Sequence, residues 1–154
     1  MVYIVRGDIS RVRMPTSVAR KRADDLWRHT CFEVFVRAEP GAAYVEFNLS
    51  PSNQWAAYQF DGYRSGLTVA QGVELVELRQ GEGVNDGRYG LTAMLDLEDR
   101  PGLPLNAPWH LGLSAVIEET NGAKSYWALA HAPGKPDFHH PDAFAHYLAA
   151  VEPA

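Results

Sequence analysis

The sequence predicts an all-β fold: an antiparallel β-sandwich, jelly-roll-like, with one or two short helices. Three observations carry that expectation. Most apolar runs are four to eight residues long and alternate with period two. They end at Gly, Pro, Asn or Asp, the residues that turn a chain. No βαβ alternation supplies the helical crossovers that parallel neighbours need. With 154 residues, 46% apolar and 21% charged, and four Trp, seven Tyr and six Phe, the chain reads as a single domain over residues 1–154. Domains of that length bury roughly 70% of their unfolded surface.

Strands are expected first at residues 2–6 and 9–13. A turn or two of helix follows within Thr16–Trp27, where the Thr16 hydroxyl suits an N-cap. Further strands are expected at Thr30–Arg37, Ala43–Leu49, Gln54–Phe60, Val73–Gln80, Arg88–Leu95, Trp109–Glu118 and Lys124–Ala130. Turn signals separate them at Glu39-Pro-Gly, Ser50-Pro-Ser-Asn, Asp61-Gly, Gly81-Glu-Gly, Asn85-Asp-Gly and Asn121-Gly. Asn121-Gly122 between two alternating runs is the strongest hairpin signal. The Pro-rich stretch from Arg100 to Pro108 is a loop, and a second short helix is expected in Pro141–Leu148, with Pro141 in its first turn.

Charge and cysteine content narrow the function. A net charge of −5, from 14 basic and 19 acidic residues, leaves no excess with which to neutralise a phosphate backbone, so nucleic acid is not an expected partner. Cys31 is the single cysteine, which excludes an intrachain disulfide and a cysteine-rich zinc site. The N-terminus is charged too early for a signal peptide, and no run approaches a membrane span. A cytoplasmic protein with no membrane partner is the expectation.

One sheet face is polar in a pattern that suggests a ligand. Alternation puts Phe32, Val34 and Val36 with Val45, Phe47 and Leu49 on one face, and Cys31, Glu33 and Phe35 with Tyr44, Glu46 and Asn48 on the other. A simple hairpin would pair Phe32 with Phe47 and Glu33 with Glu46. Like charges placed opposite each other destabilise a sheet, so a compensating cation is wanted, and Arg64 is the nearest in sequence. In the third strand, Ala56, Tyr58 and Phe60 are assigned to the core, and Trp55, Ala57 and Gln59 to the polar face. Flat aromatics among directional hydrogen-bonding groups suit a sugar, whose ring has apolar C–H faces and a rim of hydroxyls. A solvated face crossed by a salt bridge is the plainer alternative.

Three blocks, Leu26-Trp-Arg-His-Thr-Cys-Phe-Glu-Val-Phe35, Tyr44-Val-Glu-Phe-Asn-Leu-Ser-Pro51 and Asp61-Gly-Tyr-Arg64, resemble the DOMON-like proteins related to family 9 carbohydrate-binding modules. The closing stretch, Ser125 to His131 and Pro136 to Phe144, looks like the end of the same domain. The resemblance implies a jelly-roll-like sandwich in a family divided between sugar binders and haem binders. In the sugar binders two tryptophans clamp a terminal sugar while a glutamate and an arginine bond its hydroxyls. That carries over to Trp27, Glu33 and Arg64, with Trp127 as the second ring. The family's calcium sites have no counterpart that can be located in this sequence. Haem-binding members use methionine, histidine or lysine as axial ligands. Met14 and Met94 are the methionines beyond the first residue, Met94 reads as core, and no CxxCH motif for covalent attachment is present.

Asp137 and His139, in Pro136-Asp-Phe-His-His-Pro-Asp142, could form half of a metal site or line the ligand pocket, against a polar loop that pins the chain end. Glu33 and Glu46 suit a glycosidase pair by type, but a small sandwich has few loops with which to build a deep cleft. Cys31 alternates with Glu33, which offers an exposed thiol on the binding face, against the commoner role of a lone cysteine as an inert small hydrophobe, and the Asn48-Leu-Ser50 sequon reads as coincidence. The reading is a non-catalytic module binding a sugar or sugar-containing metabolite through Trp27, Glu33, Glu46, Asn48, Trp55, Arg64 and Trp127. A haem module, a hydrolase, and a partner or homo-oligomer interface are the alternatives.

Overall fold

A computed structural model describes residues 1–81, 87–98 and 100–151; the Gly81-Glu-Gly and Asn85-Asp-Gly turns lie largely outside the described residues. The eleven strands are β1 (Val2–Arg6), β2 (Lys21–Arg22), β3 (Cys31–Ala38), β4 (Tyr44–Leu49), β5 (Gln54–Phe60), β6 (Thr68–Val69), β7 (Glu74–Gln80), β8 (Arg88–Asp96), β9 (Trp109–Glu118), β10 (Lys124–Ala128) and β11 (His146–Leu148). They form two sheets. The smaller has the order β1-β8-β7, and the larger runs β10-β9-β3-β4-β5-β2, with β6 also paired to β5 and β11 to β9. Because β1 pairs with β8 while β3 pairs with β9, the chain wraps over from one sheet to the other as antiparallel pairs, in the manner of a jelly roll.

The sandwich is held by one large apolar cluster between the sheets. Phe32, Val34, Val36, Val45, Phe47 and Leu49 of the large sheet meet Leu75, Leu78, Tyr89, Leu91 and Ala93 of the small one. The β3 and β4 faces therefore fall as their alternation predicts. A second cluster lies on the far face of the large sheet, where Phe35, Tyr44, Phe60 and Val116 are covered by Phe138 and Phe144 from the closing segment. The face expected to meet water is thus roofed by the chain's own C-terminal part.

Several sequence expectations are corrected. The expected strand 9–13 is a 3₁₀ turn, Ile9–Arg11, followed by a single bridge from Val12 to Glu119. Thr16 caps no helix; within Thr16–Trp27 the only helical structure is the start of a 3₁₀ turn, Leu26–Arg28. Pro141 does open a helical turn, Pro141–Ala143, but His146–Leu148 then pairs with β9 as a strand. The sandwich is antiparallel apart from the two-residue parallel pairing of β2 with β5. The Asn121-Gly122 hairpin forms: Gly122 takes φ +86°, and Asn121 Oδ1 accepts from the Ala123 N–H. Among the described residues no helix is long and apolar enough to cross a membrane.

Candidate functional site

On the roofed face of the large sheet a cleft of about 580 Å³ opens between the sheet and the closing segment. Its floor comes from β3 and β4. The observed register pairs Glu33 with Asn48 and Phe35 with Glu46, two residues away from the predicted Glu33–Glu46 pairing. The strand β3 runs on to Ala38, and the turn closes with the Gly41 N–H on the Ala38 carbonyl, so the hairpin centre moves toward the C-terminus. Glu33 and Glu46 are therefore diagonal neighbours, a placement that long side chains still span. Across β9, Glu33 faces Ser114.

Both carboxyl groups are buried, Glu33 to 4% exposure and Glu46 to 6%. Ser114 Oγ donates to Glu33 Oε2 at 3.2 Å, and Asn48 Nδ2 donates to Glu46 Oε1 at 2.6 Å. Burial, with the Glu46 charge second, pushes the Glu33 carboxyl up to about 8, so it carries a proton at neutral pH. Burial also raises Glu46, against the opposing pull of Asn48 and Arg64.

Arg64 does not sit between the two glutamates. Its Nη2 bonds Asp137 Oδ1 at 2.7 Å, and Asp137 Oδ2 accepts from the Tyr63 hydroxyl at 2.6 Å. Arg64 has φ 50°, a left-handed conformation that a side chain resists by roughly 1–2 kcal/mol. Its N–H donates to the Tyr44 hydroxyl at 3.3 Å. That hydroxyl in turn lies 2.7 Å from His139 Nδ1. Burial first, and Arg64 second, hold His139 down to about 4, so the imidazole is neutral. With Tyr44 donating to Nδ1, the ring proton sits on Nε2, 3.7 Å from Glu46 Oε2. Tyr44, Arg64, Asp137 and His139 thus form one connected polar network on the wall of the cleft.

The predicted residues divide accordingly. Trp27, half exposed in its 3₁₀ turn, lines the cleft with Glu33, Glu46, Arg64 and His139. Asn48 lies fully buried beneath them, which closes the sequon to any glycosylation of the folded chain, and Cys31 is equally buried, its thiol directed at Asn48 Oδ1, rather than exposed. Trp55 is misassigned. It pairs with Leu49, and residues opposite each other share a face, so Trp55 and Ala57 point into the inter-sheet core while Ala56, Tyr58 and Phe60 turn to the cleft face. Gln59 follows Trp55 off the cleft face, bonding Arg100 and backbone carbonyls. Trp127 is also on the other face: it pairs with Ala115 and stands 63% exposed beside a separate apolar groove along β1.

Tyr126 takes the place expected of Trp127. It pairs with Val116 and lines the cleft with Tyr58, Phe60 and Phe138. The signal was present in the hairpin: with Asn121-Gly122 fixing the register, Tyr126 lies on the Ser114 face and Trp127 on the opposite one. Ser114 and Lys124 were not anticipated, because nothing in their local sequence marks them, and Tyr63 stood only as part of the Asp61-Gly-Tyr-Arg64 block.

Asp137 is bonded to Tyr63 and Arg64, as a polar loop that pins the chain end would be, while His139 lines the cleft; among the described residues no three His, Cys, Asp or Glu side chains converge. The cleft also suits haem poorly. No methionine lines it, Met94 is exposed on the outer side of the small sheet rather than in the core, the lining lysine, Lys124, donates to the Arg28 carbonyl, and the lining imidazole, His139, is bonded to Tyr44 and edged by Phe35 and Phe60.

Compared with known proteins, the chain matches no family model, no curated protein and no solved structure.

Proposed function

We propose that this chain is a non-catalytic binding module that takes a sugar or sugar-containing metabolite in the cleft roofed by the closing segment. The observation that carries the reading is a half-exposed indole, Trp27, at a cleft whose floor holds the Glu33 and Glu46 carboxyls. An aromatic face over buried directional groups is the combination a pyranose needs, and the pocket volume is in the range of small-ligand sites. The roles are stacking for Trp27, with Tyr126 as the second ring, hydrogen bonding to hydroxyls for Glu33 and Arg64, and buried support of Glu46 for Asn48. The blocks resembling family 9 carbohydrate-binding modules supply Trp27, Glu33 and Arg64 independently of this geometry. Binding without chemistry fits a wall whose polar groups are committed to one another.

A thermal-shift screen of monosaccharides and nucleotide sugars, followed by calorimetry on hits, tests this. Trp27→Ala and Glu33→Gln are each expected to weaken binding about tenfold or more, the worth of one buried contact, while the folded circular dichroism spectrum is retained. Normal affinity in both variants would sink the assignment. A Soret band acquired on adding haemin would favour the redox alternative, and silence toward all sugars from a protein that self-associates would favour an interface.

A further inference from the structure

Among the described residues no cation touches the two buried carboxyls at the floor of the cleft, and Arg64 acts on them only from a distance. Among the described residues no lysine or arginine nitrogen lies within 4 Å of either, and the nearest basic atom is the neutral His139 imidazole, 3.7 Å from Glu46. Both cations that line the cleft are engaged elsewhere: Arg64 with Asp137, and Lys124, whose Nζ donates to the Arg28 carbonyl. Glu33 is 4% exposed and lines the cleft with Glu46, and its side-chain partner there is a neutral hydroxyl, Ser114 Oγ. A buried carboxyl loses its hydration, and a positive partner in contact is what best offsets that loss.

We propose that the sugar this cleft selects is an amino sugar, its ammonium group seated at the Glu33 and Glu46 carboxyls beneath the aromatic walls of Trp27, Tyr58 and Tyr126. The inference rests on the sugar-binding reading and names its ligand class. An ammonium offers three donors to the carboxyl oxygens of that floor, and a charged hydrogen bond is worth about twice a neutral one. Aromatic faces close to a cation add attraction. They also favour an organic cation over a hydrated metal ion, whose shell of water they cannot replace. In the unliganded protein a proton on Glu33 takes the place of that cation.

The test is calorimetry near neutral pH with matched pairs: glucosamine against glucose, galactosamine against galactose, and mannosamine against mannose, with N-acetylglucosamine as the neutral-amide control. At least one amine is expected to bind about tenfold or more tightly than its neutral partner. Glu33→Gln and Glu46→Gln are each expected to bring that ratio toward one, a change in selectivity that a merely structural role would not produce. Equal or tighter binding of neutral sugars would overturn the amino-sugar inference and leave the sugar reading standing. Failure of all sugars to bind would overturn both. Stabilisation by calcium chloride alone, lost in Glu33→Gln, would also overturn it by assigning the pair to a metal.

Discussion

Glu33 is a carboxyl that the fold holds neutral, and that has a measurable price in stability. Its folded value, about 8, lies above the ordinary 4.5. Below the ordinary value both folded and unfolded chains hold the proton, and Glu33 has no effect. As pH rises from there toward 8, the unfolded chain gives up the proton and the folded chain keeps it, so the unfolding free energy falls by up to about 1.4 kcal/mol for each pH unit. Urea unfolding between about pH 5 and 8 is expected to show that decline, and Glu33→Gln to flatten it, leaving the variant the more stable protein at neutral pH. A slope unchanged by the substitution would mean that Glu33 is ionised in the fold. At this scale the sequence was informative about residue type, since Glu33, Glu46 and Arg64 all reach the cleft. It misled on the tryptophans: in strands apolar on both faces, alternation alone does not say which face is which, and Trp55 and Trp127 both point toward the other side of the sheet.

Between elements the decisive quantity is register. The β3–β4 hairpin pairs Glu33 with Asn48 instead of Glu46, because the turn closes one residue later than a symmetric loop would place it. No composition rule reads that shift of two. The β9–β10 hairpin, by contrast, was legible, since Asn121-Gly122 admits few geometries. Gly112 of β9 shows how elements fix the roof of the cleft. It lies opposite Phe35, and a Cβ there would meet the Ala143 carbonyl at 3.0 Å and Phe35 Cβ at 3.5 Å. The turn Pro141–Ala143 therefore seats directly on a strand with no side chain. Gly112→Val is expected to destabilise the protein by about 1–3 kcal/mol, the usual cost of overpacking, and to weaken sugar binding by lifting the segment that carries His139. Chemical denaturation and calorimetry on the same variant check both parts.

At the scale of the whole molecule, two sheets of three and eight strands share one core, so neither is a unit by itself. Leu91, fully buried in the small sheet, is remote from the cleft by sequence and by sheet. Leu91→Ala is expected to cost about 2–5 kcal/mol, and circular dichroism and tryptophan fluorescence should still lose their native signals in a single coincident transition. Separate transitions would show sheets that unfold independently. The sandwich itself was readable from strand length and turn spacing, because those depend on local chemistry. The roof was not: a segment whose packing comes from Phe138 and Phe144 landing on Phe35 and Tyr44 depends on contacts about a hundred residues apart in sequence. That roof gives Cys31 a use as a kinetic reporter. The thiol lies under the cleft floor beside Asn48, and burial suppresses its thiolate, so a labelling reagent reacts only in molecules whose floor has momentarily opened. As the chain has a single cysteine, the labelling rate counts those openings at one place, and a ligand bound above it should slow the count in proportion to its occupancy.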